Sequence, residues 1–423
     1  MSGGTNLAPT GGNMKQIARV FRAIFTMAGL LAAAGGARAE PVKLTWFMWS
    51  GSEPEVTAWR HVAAMVTEKH PDITVEFQTA SFPDYWTKLP ALAAAGKLAD
   101  IVSLQSLRAP GFAQLMAPLD ARMKTDGFDA AAFDPSIMKG LSRDGIQFAI
   151  PYDFGPLVLY YNRDMFAAAG LPMPQPGWTE AEFDRAADTL TRNGQSGFVV
   201  SVPDAFFAFA RSRGASYLDK KGELDLVNDG MKQAFTAYVK LVSERKVAPL
   251  FPASGTQSSS LANGRFTSGG VGMYVDGPWQ LINVKRKSAF ALGVVPLPAR
   301  AAGSLTVTAG SGFGISKTSR HPDEAWKAIQ VMTSPAAEQY LAENGRALPA
   351  RTAQQTYWFE TAAKGVDGAQ GAIEAALKTA APYVTTPNWA SVASLFEQYA
   401  PLAFSGAEDP VKVLTTIQQL ASQ

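Results

Sequence analysis

The sequence contains no cysteine. That excludes disulfides, thiolate metal sites, a cysteine nucleophile and a lipid-acceptor cysteine. Histidine is nearly as scarce, with only His61, His70 and His321 in 423 residues, and none stands in a His-Glu-x-x-His arrangement. A zinc-protease centre is thereby excluded, and a histidine-dependent triad has little to draw on. No Gly-x-Ser-x-Gly, no phosphate-binding loop and no strand-linked Gly-x-Gly-x-x-Gly occurs; "SGFGIS" holds only Gly-x-Gly. No catalytic residue, metal or cofactor is implied, and the chain does not read as an enzyme.

Charge of one sign is also missing. The formal net charge is +2, but Lys15, Arg19, Arg22 and Arg38 lie in residues 1–39 with no acidic residue among them. Without that segment the chain carries a net −2, with no clustered basic footprint for nucleic acid or an anionic membrane. The densest basic run, Lys285-Arg286-Lys287, reads as solvated surface. Long hydrophobic runs are absent too: the apolar stretch from Ala23 to Ala34 is well short of the roughly 20 residues that cross a bilayer. With a basic flank before it and Ala37-Arg38-Ala39 after it, the segment 1–39 reads as a cleavable secretory signal whose true start is Met14. The destination expected is the periplasm, as a free soluble monomer and not a lipoprotein.

What is present is regular α/β patterning. "VKLTWFMW", "DITVEF" and "ADIVSL" read as strands, separated by helices in "SGSEPEVTAWRHVAAMVTEKH" and "FPDYWTKLPALAAAG". Strand-helix-strand alternation predicts parallel strands with crossover helices and places a ligand cleft outside their carboxyl ends. Ser52 and Glu55 have capping-box spacing at the first helix, as do Thr179 and Glu182 before "AEFDRAADTL". "GIQFAIPYDFGPLVLYYN" predicts a strand broken at Pro151 and resumed at Leu157, a candidate crossing between lobes. Further strands are expected in "GFVV", "VGMYV", "FALGVV" and "AGSGFGIS", with helices near 204–212 and 229–245 and a mostly helical tail.

Aromatic residues recur beside turn residues. Trp49 precedes Ser-Gly, Tyr152 and Phe154 flank Asp153, Trp279 follows Gly277-Pro278, and Phe313 lies in a glycine cluster. A flat apolar ring suits the C–H face of a sugar, and neighbouring polar groups suit its hydroxyls. Core packing is the plainer reading of any one of them. Asp153 and Asp276 also raise a different chemistry, since two carboxylates at short separation are what glycoside hydrolysis requires.

Three blocks in order carry a resemblance: "AIPYDFGPLVLYYNRDMFAAAGL" with "GWTEAEF", then "FTSGGVGMYVDGPWQL", then "GFGISKTSRHPDEAWKAIQVMTSPAAEQYLAENGRALPAR". They resemble the extracellular solute-binding proteins of ABC sugar importers, the maltose-binding-like group. Two departures stand out, Trp178-Thr179 in inverted order and Val271-Gly272 in place of alanines.

The resemblance implies a two-lobed α/β fold of the periplasmic-binding-protein kind (type II-like). Each lobe would be a mainly parallel sheet flanked by helices, the lobes joined by crossing strands. The lobes expected are 40–153 plus about 308–350, and about 154–307 plus 351–423. Function follows as capture of a sugar or oligosaccharide and delivery to the membrane permease and its ATPase subunits.

Site residues implied are the first-strand loop Trp49, Ser50 and Gly51, then Gln105, Tyr152 and Asp153, and the stacking Trp279 with Asp276. The glycine-rich stretch Ser311, Gly312 and Phe313 joins them, with Phe206 and Phe207 as cleft candidates. Arg346 and Arg351 complete the set; facing the cleft as a pair, they would favour a phosphorylated polyol such as glycerol 3-phosphate.

Overall fold

The computed structural model describes residues 1–6, 41–251, 258–300 and 303–422. The chain divides into two compact units, Met1–Pro41 and Val42–Gln423, and the second carries all the architecture below. The signal segment expected at 1–39 lies almost wholly outside the described residues. Among the described residues no helix is long and apolar enough to cross a membrane.

The first sheet begins with β1 (Val42–Trp49), β2 (Ile73–Ala80) and β3 (Ile101–Gln105). β1 pairs in parallel with both others, because α1 (Glu53–Lys69) and α2 (Phe82–Ala94) return the chain to the same edge. α1 buries Ala58, Trp59, Val62, Ala63 and Val66 on one face, as its spacing predicts. α2 runs through Pro90 without ending there. The expected capping box at α1 is not formed: Ser52 makes no side-chain cap, and Glu55 reaches past it to the backbone N–H of Gly51 at 2.7 Å.

A small hairpin, β4 (Ser142–Arg143) and β5 (Ile146–Gln147), precedes β6 (Ile150–Pro156). β6 does not break at Pro151. It continues to Pro156 and pairs antiparallel with β11 (Thr306–Ile315), with a register shift that leaves Tyr152 unmatched next to the proline. The interruption falls at Leu157, whose N–H is bonded to Val307 O at 3.0 Å, and the chain enters the second sheet as β7 (Val158–Asn162).

The second sheet has the order β10-β7-β9-β8, with β8 (Ser196–Phe198), β9 (Val271–Asp276) and β10 (Leu292–Val295). It is mixed and not mainly parallel: β7 is antiparallel to β9 and β10, and only β8 and β9 run together. The reason is connectivity, since β7 starts at the crossing and runs away from it while β9 runs back toward it. The flanking helices include α3 (Glu180–Leu190), α4 (Asp204–Ser212), α5 (Leu281–Lys287), α6 (Ala369–Leu377) and α7 (Trp389–Phe404). Thr179 and Glu182 form the complete capping box expected at α3.

β12 (Ala380–Pro382) is a strand the helical pattern of the tail concealed, and it pairs with β11 in the first sheet. The tail thus touches the first lobe inside a range expected to lie in the second. It leaves again through Tyr383 to Asn388, where Thr385 Oγ1 is bonded to Leu107 O at 2.8 Å. The chain accordingly passes between the two sheets twice, at Leu157 and between β10 and β11, and the tail leaves the first sheet a third time beside them, Tyr383 N–H bonding Thr308 O. Lys285 is not simply solvated: its ammonium bonds Lys364 O at 2.6 Å and Ala362 O at 3.3 Å.

Candidate functional site

The parallel run of β1, β2 and β3 brings their carboxyl ends to one edge of the first sheet. There the antiparallel β11 sets Ser311 opposite Gln105 on one side and opposite Asp153 on the other. β1 and β3 are in register at Phe47 and Val102, so continuing that register three residues brings Ser50 abreast of Gln105. Ser50, Gln105, Ser311 and Asp153 thus form one polar row across four strands. Four residues far apart in sequence become neighbours because each ends or bends a strand at the same edge.

Asp153 is buried at 5% exposure, with Oδ1 lacking a hydrogen-bond partner among the described residues. Burial pushes its carboxyl up to about 7, against the opposing pull of the Arg346 guanidinium and the Ser311 hydrogen bonds. The hydroxyl of Tyr152, equally buried, lies against Ser311 and the Arg346 guanidinium.

Beside this row stands an aromatic group. The Trp49 ring is buried, packed edge-on against Phe82 and Tyr85 at 5.7 and 5.2 Å and tilted against Trp86 at 5.5 Å. Phe82 and Trp86, on the first turns of α2, are only half-buried. The Arg108 guanidinium lies over both, 5.3 Å from the Phe82 ring and 5.0 Å from that of Trp86. Arg108 also donates to Gln105 Oε1 and so to the polar row. Trp86 Nε1 is buried without a partner.

The second lobe contributes the exit of β9. Asp276 receives the Tyr274 hydroxyl and the Gly277 N–H, and Tyr160 donates to Gly277 O at 2.7 Å. Burial pushes the Asp276 carboxyl up to about 6, while those two hydrogen bonds favour its charged form. Trp279 follows in a single 3-10 turn, half-buried, with part of its surface packed on the second core.

Asp204 opens α4, near enough to feel the charges of Arg108 and Asp276. Burial raises its carboxyl, with Arg108 opposing the shift. Tyr383, on the returning tail, presents a buried hydroxyl to Asp204, with Arg108 close by. Arg108 of the first lobe and Asp204 of the second therefore face each other without meeting as an ion pair.

Several expected residues lie elsewhere. Phe206 and Phe207 are fully buried: Phe206 packs among Phe235, Tyr238 and Phe396, and Phe207 against Tyr217, Trp389 and Phe396. They are core residues, and the cleft-side residue of "PDAFF" is Asp204. Phe313 is also core, enclosed by Trp46, Trp59 and Tyr152, so only its backbone and that of Gly312 belong to the strand edge.

Arg351 is spent inside the first lobe, its Nε on Thr333 O at 2.6 Å, its N–H on Glu338 at 2.7 Å and its guanidinium over Phe133. Arg346 pairs with Glu55 at 3.1 Å. The two arginines do not form a pair facing the cleft.

Phe82, Trp86, Arg108, Asp204 and Tyr383 were not singled out by sequence reasoning. A signal existed for Trp86, in the crowding of aromatics in "FPDYW", and for Arg108, in the loop after β3. Asp204 and Tyr383 gave none, because their significance lies in long-range pairing.

Such a set of aromatic faces, hydrogen-bond donors and buried acceptors is suited to holding a polar solute. The profile of the family described as "Bacterial extracellular solute-binding protein" matches residues 50–339. A maltodextrin-binding protein of Bacillus subtilis (strain 168) is 24% identical over 352 residues, 80% of each chain. A lactose-binding protein of Rhizobium radiobacter is 26% identical over 320 residues, 73% of each chain.

In fold, the chain is similar to an ABC substrate-binding protein of Listeria monocytogenes solved with cycloalternan. The TM-score is 0.81 at 23% identity, over 90% of this chain and 98% of that one. With the family profile spanning well over half its length, the chain belongs to the bacterial extracellular solute-binding proteins.

Proposed function

We propose that the protein captures a neutral, hydroxyl-rich solute, a sugar or oligosaccharide, in the cleft between its lobes. It then delivers that solute to the membrane permease of an ABC importer, whose ATPase subunits supply the energy. The observation that carries this reading is that buried polar atoms without a partner stand beside the strand ends and aromatic faces described above: Asp153 Oδ1 in the polar row and Trp86 Nε1 under the Arg108 guanidinium. Buried polar groups are nearly always hydrogen-bonded, so such atoms are what a hydroxyl-bearing ligand satisfies. A carbohydrate is also what the names of the Bacillus and Rhizobium relatives and the Listeria complex point to.

Solute enters between open lobes, stacks on Trp279, and accepts from Arg108 and Trp86 while donating to Asp204, Asp153 and Asp276. Contacts to both lobes exist together only when the lobes are closed, so the ligand shifts the equilibrium by its differential affinity for that state. The protein works as a periplasmic monomer after removal of residues 1–39, with no nucleic-acid partner and no chemistry on the solute.

A phosphorylated polyol is disfavoured by the engagement of Arg346 with Glu55 and of Arg351 with Glu338 and Thr333. Hydrolysis is disfavoured because Asp153 and Asp276 sit in separate surroundings, one beside Arg346 and Ser311, the other beside Tyr274 and Gly277. Incubating the protein with a panel of neutral saccharides and recovering the bound sugar tests both points. Intact sugar is expected; cleaved product would establish an enzyme.

A further inference from the structure

We propose that Glu55 is a positioning residue that ties the ligand loop after β1 to the closure of the second lobe; the inference rests on the binding-protein reading above. Its two carboxylate oxygens serve different masters. Oε2 accepts the Gly51 N–H at 2.7 Å and the Ser50 hydroxyl at 3.4 Å, fixing the loop that contributes Ser50 to the polar row. Oε1 accepts from Arg346 at 3.1 Å, in an ion pair whose side chains are only 17% and 11% exposed. Arg346 is held from its other side by the Trp59 ring, 5.4 Å from its guanidinium carbon.

This pair lies where the lobes meet. Pro54, Glu55, Gly345 and Arg346 of the first lobe line one small cavity together with Ile282 and Asn283 of α5. Gly345 adopts φ +67°, and a Cβ there would stand 3.1 Å from Ile282 Cγ1, so the glycine both permits the turn and lets α5 approach.

α5 begins two residues after Trp279. Movement of the helix that directly follows Trp279 is therefore registered at Gly345 and Arg346, and through Glu55 at Ser50 and Gly51. The sequence hinted at none of this, since Ser52 and Glu55 have the spacing of an ordinary capping box. The structure shows the glutamate diverted from the cap to the loop.

Hydrogen–deuterium exchange on the free full-length protein tests the proposal without requiring a ligand. Glu55→Ala should raise the exchange rate of the segment 50–52 at least tenfold and that of 281–286 measurably, with the β1–β3 core unchanged. Glu55→Gln, which keeps an acceptor for the Gly51 N–H, should restore protection at 50–52. Because Glu55→Ala strands the Arg346 charge, the double variant Glu55→Ala/Arg346→Met serves as the second test and should show the same local pattern. Unchanged exchange at 50–52 in both variants, or a uniform rise across the first lobe, would overturn the assignment.

Saccharide binding is read separately by titrating wild type and Glu55→Gln with maltose, lactose and maltotriose. A wild type that binds none of them counts against the carbohydrate reading and leaves the exchange result standing.

Discussion

The indole of Trp279 folds back over the Cα of Gly277, so closely that a Cβ at that glycine would fall within the ring's van der Waals surface. An aromatic on a tight exit from a strand is thereby immobilised: the turn through Gly277-Pro278 sets its position and the missing side chain makes room for its ring. Part of the ring packs on the second core and the rest is exposed, and it is on that remainder that the ligand is proposed to stack. Trp279→Ala should weaken saccharide binding by about 2 kcal/mol or more, roughly thirtyfold in Kd, since buried aromatic anchors carry losses of that order. The melting temperature should stay within a few degrees of wild type. Gly277→Ala should lower affinity too, by displacing the ring, and cost about 1 to 3 kcal/mol of stability through overpacking. Fluorescence titration paired with a thermal melt reads both variants.

Phe207 provides the contrasting case. Enclosed by Tyr217, Trp389 and Phe396, it should behave as a core residue, with Phe207→Ala costing about 3 to 5 kcal/mol in a urea unfolding curve. A variant of native stability that had lost its ligand would return Phe207 to the cleft.

The buried carboxylates make stability depend on pH in a stated direction. Asp153, Asp276 and Glu397 are raised to about 7, 6 and 7, mainly by burial. Between roughly pH 4, where such groups titrate in the unfolded chain, and pH 7, the folded protein binds more protons than the unfolded one. Their contribution therefore falls as pH rises through that window and levels off above it. Asp153→Asn should flatten the decline seen in melts of the ligand-free protein; an unaltered slope would show that Asp153 is ionised throughout.

Charge should also decide the ligand. With Arg346 and Arg351 engaged elsewhere and Asp204 and Asp276 on the facing lobe, glycerol 3-phosphate should produce no thermal shift at concentrations where a neutral sugar saturates. Arg108→Ala should weaken the sugar at least tenfold, since it removes the cation held over Phe82 and Trp86.

Local features were readable from sequence because their causes are local. The α1 stripe of Trp59, Ala63 and Val66 and the Thr179–Glu182 box depend on residues three or four apart, and both are present. The strand ends that bear Ser50 and Gln105 were legible for the same reason. What sequence could not convey was non-local pairing. β12 is three residues long and exists because β11 offers it an edge. Asp204 gains meaning only when Arg108, almost a hundred positions away, is folded opposite it. Pro151 misled because a proline interrupts a regular strand but is accommodated beside a bulge, here the register shift opposite Ser311 and Gly312. Phe206 and Phe207 misled because an apolar pair beside a predicted strand end looks alike whether it faces a cleft or a core.

The central claim, that Trp279 and the polar groups at the strand ends of the first lobe bind a neutral carbohydrate, is tested most directly by calorimetric titration. Wild type and Trp279→Ala would be titrated with neutral mono- and oligosaccharides, polyols and glycerol 3-phosphate. Saturable one-to-one binding of at least one neutral sugar, strongly weakened in Trp279→Ala and absent for the phosphate, is the result expected. Silence across all the neutral sugars with binding of the phosphate, or equal affinity in wild type and variant, would contradict the account.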